Sequence, residues 1–143
     1  MTRRSRTGSV LAVLAVLLVA CGTAEGDVFA LEVGQCLDDP GARSGIEEVE
    51  LVACHDPHDF EVFALTDLPD GPYPGAGEVV DAAQARCTGL FAAYVGVEEP
   101  ASALATAFLV PSEDGWEGGD RQVVCLLYEP DERLESSMRG AQR

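Results

Sequence analysis

Cys36, Cys54, Cys87 and Cys125 set the tightest limit on what this 143-residue chain can fold into, because joining them in pairs requires Cα atoms about 4.4–6.8 Å apart. Four cysteines allow three connectivities, and pairing cannot be read from spacing alone. Local patterns nevertheless rank them. Residues 78–95 predict a helix, with Val80, Ala83, Cys87, Leu90, Phe91 and Tyr94 recurring at three- and four-residue intervals between Gly77 and Gly96, so Cys87 faces the core. Residues 122–128 predict a strand with Val123, Cys125 and Leu127 on one face and Val124, Leu126 and Tyr128 on the other. A Cys87–Cys125 bridge would staple helix to sheet. Cys36, just after the segment 29–33, is then left for Cys54, which ends the segment 49–53. Each bridge should contribute about 3–4 kcal/mol by restricting the unfolded chain.

Whether these thiols oxidise depends on compartment, and the start of the chain addresses that. Arg3, Arg4 and Arg6 precede residues 10–20 (VLAVLAVLLVA), which lack any polar side chain. At about 1.5 Å per residue that run covers roughly half of a ~30 Å hydrocarbon core, too little for an ordinary span and right for a signal peptide. Leu18-Val19-Ala20-Cys21-Gly22 resembles the bacterial lipobox. The resemblance implies cleavage before Cys21, acylation of its thiol with palmitate-class chains, and a lipoprotein on the extracytoplasmic face of the cell membrane. A plain signal peptide that happens to contain cysteine and an uncleaved signal anchor are the alternatives. Ser5-Arg6-Thr7 does not continue a twin-arginine motif. Export favours disulfides over thiolate ligation. A zinc site combining the same thiols with His55 and His58 is the competing reading, but it lacks a CxxC knuckle.

The chain carries no lysine, a bias suggesting a GC-rich bacterial genome, and its formal charge is −16. Losing Arg3, Arg4 and Arg6 with the signal leaves six basic against 25 acidic residues, a charge of −19. Nucleic acid is disfavoured as a partner. Anionic headgroups would repel such a surface, so the membrane would hold it only through acyl chains on Cys21, at about 0.8 kcal/mol per buried CH₂. High solubility outside the cell explains the acid more simply than a surface for basic ligands.

The expected layout is a signal peptide over 1–20, a polar tether over 21–27, one domain over 28–130 and a polar C-terminal tail over 131–143 that frays. Strands are expected over 28–37, turning at Gly34, and over 46–54, 60–65, 103–110 and 122–128. Of these, 60–65 is apolar on both faces apart from Glu61 and so central. Residues 69–77 and 111–120 read as loops. Strands, one main helix and further strands predict an α+β domain with a mostly antiparallel sheet and two disulfides.

His55-Asp56-Pro57-His58-Asp59 is the densest group of potential ligands, but Pro57 keeps Asp56 out of helical conformation, so the histidines cannot share a helix face. They would converge only through a turn with Asp56 first and Pro57 second, a composition that a structural turn explains without metal. Glu61, in an apolar strand, must lie at an edge or be paired, with Arg121 and His58 as candidate partners in a structural ion pair. Trp116 and Tyr73 lie on predicted loops, where core capping is the commoner role and partner recognition the rarer one. No GxSxG elbow, phosphate loop or dinucleotide fingerprint occurs, so neither enzyme chemistry nor a cofactor is expected.

Val33-Gly34-Gln35-Cys36, Val52-Ala53-Cys54, Pro57-His58-Asp59-Phe60-Glu61-Val62-Phe63, Cys87 with Phe91 and Tyr94-Val95-Gly96, and Trp116 with Gly119-Asp120-Arg121 and Val124-Cys125 occur in that order. Together they resemble the septum-formation domain family of actinobacterial lipoproteins and membrane proteins. The resemblance covers 33–140, including a Ser137-Met138-Arg139-Gly140 ending. It implies that His58, Glu61, Trp116 and Arg121 belong to a shared pattern, either core architecture or a common binding surface. It implies no catalytic residue. The reading is a lipid-anchored interaction module that meets an unidentified protein partner in cell envelope or septum processes. The alternative is a metal-binding protein or metal-dependent hydrolase using His55 and His58.

Overall fold

Six strands and two helices build the domain in a computed structural model that describes residues 24–39, 41 and 48–143. The expected signal peptide, Cys21 and its lipid, and the start of the strand expected over 46–54 lie outside the described residues. The order is β1 (Ala24–Asp27), a 3-10 turn (Val28–Ala30), β2 (Cys36–Leu37), β3 (Glu48–Val52), β4 (Phe60–Asp67), α1 (Ala76–Val95), a second 3-10 turn (Glu99–Ala101), β5 (Ala105–Leu109), α2 (Glu113–Glu117) and β6 (Gln122–Tyr128). All pairings are antiparallel, in the sheet order β1-β3-β2-β4-β6-β5. The α+β architecture read from the sequence is therefore the observed one, with β4 and β6 inside the sheet as their two-sided apolar sequences require.

The sheet divides the core between its two faces. Val123, Cys125 and Leu127 of β6 pack beneath α1, while Val124 and Leu126 join Val62, Leu37, Val49 and Leu31 on the other face. A bulge between Val62 and Ala64 makes Phe63 the extra residue of β4, and its ring meets Phe91 edge-on with centroids 5.6 Å apart. Cys87, fully buried, bonds Cys125, and Cys36 bonds Cys54, the pairing that local pattern ranked first.

Helix α1 is rotated from its expected setting. It buries Val79, Ala83, Cys87, Phe91, Tyr94 and Val95 and leaves Val80 42% and Leu90 37% exposed. The bridge to Cys125 and the Phe63 contacts to Phe91 and Tyr94 fix that rotation, so the strict four-residue series 79-83-87-91-95 faces inward. Gly96 ends the helix at φ +95°, donating its N–H to the Ala92 carbonyl at 2.9 Å. A side chain there would also press on Gln142.

Four other expectations need correction. The strand expected over 28–37 is a 3-10 turn followed by only Cys36–Leu37, because Gly34 breaks the extended path at φ +97° while its N–H bonds the Val62 carbonyl at 2.7 Å. Residues 24–27, read as tether, pair with β3 as an edge strand, which needs backbone rather than apolar side chains. The loop over 111–120 contains α2, whose start is capped by the Ser112 hydroxyl accepting from Gly115 N–H at 3.0 Å.

The tail over 131–143 does not fray. Leu134 and Met138 are buried, Leu134 pairs its backbone with His58 at 2.9 Å in both directions, and the Gly140 and Gln142 N–H groups donate to the Tyr94 and Val95 carbonyls. These bonds turn a polar segment into a strap across the end of α1.

Candidate functional site

Two fully buried polar side chains, His58 and Glu61, lie where β2, β4, α1 and the C-terminal strap meet. Glu61 pairs across the sheet with Cys36 on one side and Leu127 on the other, so its carboxylate points at the helix-covered face. There its Oε1 accepts from the Tyr94 hydroxyl at 2.5 Å and the Ser137 hydroxyl at 2.6 Å, and its Oε2 accepts from the Met138 N–H at 2.7 Å. Burying a carboxylate is costly unless donors replace its water, and three donors do so here. The expected ion pair is corrected: no ion pair to Glu61 forms among the described residues, and Arg121 lies elsewhere.

Sequence reasoning missed these partners. The signal that could have found one was Tyr94 itself, a core-facing tyrosine whose hydroxyl requires an acceptor. Ser137 and Met138 stood in a segment without apolar periodicity.

Tyr94 registers this environment. Burial, then the hydrogen bond and negative charge of Glu61, push its phenol up from 10.0 to about 12, against smaller opposing effects of Ser137 and of Arg139, whose guanidinium lies 4.5 Å from the ring centre. The unfolded chain therefore releases this proton first on alkalinisation. The resulting stabilisation is complete below pH 10 and is lost as pH rises through about 12. Melting temperature should fall more steeply across that window in the wild type than in Tyr94→Phe. Equal slopes would contradict this placement of the phenol.

The turn before β4 closes three residues earlier than expected, with Asp56 N–H donating to the Ala53 carbonyl at 2.8 Å. It sends the two histidines into different surroundings. The His55 side chain is 85% exposed and 3.8 Å from the Asp56 carboxylate, whereas the His58 ring is sealed and its Nδ1–H donates to the Asp56 carbonyl at 2.8 Å. The His55–His58 metal site weighed from the sequence is thus not assembled. The fold instead gathers His58, Glu61 and Cys36, with one donor atom from each all within 4.8 Å of one another.

Trp116 and Arg121 form a separate unit. Trp116 is buried in the main core, donates its indole N–H to the Gly71 carbonyl at 2.8 Å and meets Tyr73 edge-on at 5.8 Å. Arg121 lies 3.9 Å over the indole, donates to the Trp116 and Asp120 carbonyls, and stands 3.4 Å from Asp70. Trp116 thus closes part of the core, and Arg121 ties the loop carrying α2 to it.

The model of the family described as septum formation matches residues 22–125. This chain belongs to the septum formation family. No curated protein and no solved structure matches it. The septum formation match takes in all four bridged cysteines with His58, Glu61, Trp116 and Arg121, so every piece that carried the resemblance except the Ser137–Gly140 ending falls inside the matched residues. Its limits differ from those expected: it begins at residue 22 rather than 33 and ends at Cys125, short of the Ser137–Gly140 ending. The strap that closes over Glu61 lies outside the matched residues.

Proposed function

We propose that this protein is a lipid-anchored module on the extracytoplasmic face of the cell membrane, acting by binding a protein partner in septum or cell envelope processes. The observation that carries the reading is the pair of bridges, Cys36–Cys54 and Cys87–Cys125, which call for an oxidising compartment in a chain whose start has the pattern of an export signal ending at Cys21. Septum formation is the process that its family's description names.

Binding rather than catalysis fits the buried polar centre. Glu61 is engaged by three donors and His58 is closed off from solvent, so neither meets a substrate in this state. Attachment rests on Cys21. Cys21→Ala is expected to move the protein from the membrane pellet to the soluble fraction of fractionated cells once its signal is removed. A Cys21→Ala form that stays in the pellet after signal removal would contradict lipid anchoring.

A further inference from the structure

His58 is held as a metal-binding imidazole is held. Its Nδ1–H is tied to a backbone carbonyl, which fixes the tautomer, and its Nε2 is buried without any hydrogen-bond partner. Histidines that bind metals almost always have the outer N–H fixed in this way. Glu61 retains capacity beside it, since Oε2 accepts only the Met138 N–H. Cys36 Sγ, a ring nitrogen of His58 and a carboxylate oxygen of Glu61 form a triangle with sides no longer than 4.8 Å. What withholds that sulfur is its bond to Cys54.

The two bridges differ in access. Cys87 and Cys125 are both fully buried, whereas Cys54 is half-buried between the exposed residues Ala53 and His55. Thiol–disulfide exchange needs an approach to one sulfur, so the Cys36–Cys54 bridge is the one open to attack.

We propose that reduction of Cys36–Cys54 by a dithiol uncovers a site for a zinc-class divalent cation, built from the Cys36 thiolate, His58 Nε2 and Glu61, with Cys54 as the nearest fourth ligand. One thiolate of the dithiol attacks the Cys54 sulfur and breaks the bridge, leaving a mixed disulfide and the Cys36 thiolate. The second thiol then closes on the first, releasing Cys54. Two electrons and two protons pass to the protein, and the dithiol departs as a disulfide. The cation displaces the protons of both cysteines on binding.

Tetrahedral zinc with bonds of about 2.0–2.3 Å sets its donors roughly 3.3–3.8 Å apart, a contraction of at most about 1–1.5 Å, of which the freed Cys36 side chain supplies the sulfur's share. A sulfur, nitrogen and oxygen set favours zinc and cobalt over calcium and magnesium. This site does not depend on the anchoring reading, and exposed His55 has no part in it.

The test treats the purified full chain with a phosphine reductant without denaturant and titrates it with Co²⁺. Expected are one Co²⁺ per chain with a thiolate-to-cobalt charge-transfer band in the reduced protein, none in the oxidised protein, and affinity more than about 100-fold weaker in His58→Gln. Zn²⁺ should protect Cys36 and Cys54 of the reduced wild type from alkylation, with Cys87–Cys125 still bridged, a readout that does not require the variant to fold. The proposal is overturned by no band after reduction, by equal binding in the oxidised protein, by unchanged affinity in a folded His58→Gln, by unprotected thiols, or by prior opening of Cys87–Cys125.

Discussion

Replacing Cys87 and Cys125 together with alanine is expected to lower the unfolding free energy by about 4 kcal/mol, against about 3 kcal/mol for Cys36 with Cys54. The order follows from the loops closed, with separations of 38 and 18 residues, because the longer loop removes more freedom from the unfolded chain. Burial points the same way. Both sulfurs of the first pair lie in the core between α1 and β6, so their loss also removes packing. Domains of this size are stable by only about 5–15 kcal/mol, and the first variant should show a visibly unfolded fraction in mild urea. Urea unfolding of the two paired variants measures both. A reversed order, or a loss under about 1 kcal/mol for Cys87 with Cys125, would contradict the account of how helix is held to sheet.

Glu61→Ala should be comparably damaging, by about 3–5 kcal/mol, because it strands the Tyr94 and Ser137 hydroxyls and the Met138 N–H in a site closed to water. The strap is the part expected to loosen first, since two of its residues bond Glu61 directly. Hydrogen exchange at Met138, Gly140 and Gln142 should quicken before exchange in β6. Glu61→Gln keeps one acceptor oxygen but turns an NH₂ toward a donor, and a smaller loss of about 1–3 kcal/mol is expected. A Glu61→Ala protein within about 1 kcal/mol of the wild type, with its strap amides still protected, would contradict the role given to Glu61 in holding the strap.

The sequence was informative where one residue's surroundings are set by its immediate neighbours. Residues 122–128 alternate so cleanly that β6 has the limits expected of it, and the placement of Cys87 on an inward helix face gave the correct bridge. It was misleading where distant contacts decide. Val80 and Leu90 suit an inward face as well as Val79 and Val95 do, and only the contacts of Phe63 and Cys125 with α1 choose between them.

The buried centre shows the same limit. A carboxylate in an apolar strand announced that Glu61 needs partners, but charge suggested Arg121, whereas the fold supplies two hydroxyls and an amide. Two of those three come from a segment whose only apolar anchors, Leu134 and Met138, are scattered among charges and glycine. Backbone pairing with His58 and with the end of α1 holds that segment, and backbone pairing leaves no mark on side-chain pattern.

The central claim, a lipid-anchored domain closed by two disulfides, is tested most directly by the intact mass of the protein taken from bacterial membranes, before and after reduction and alkylation. The account predicts a chain that begins at Cys21 with added acyl mass and four cysteines that take alkyl groups only after reduction. A chain without acyl mass, or thiols alkylated before reduction, would contradict it.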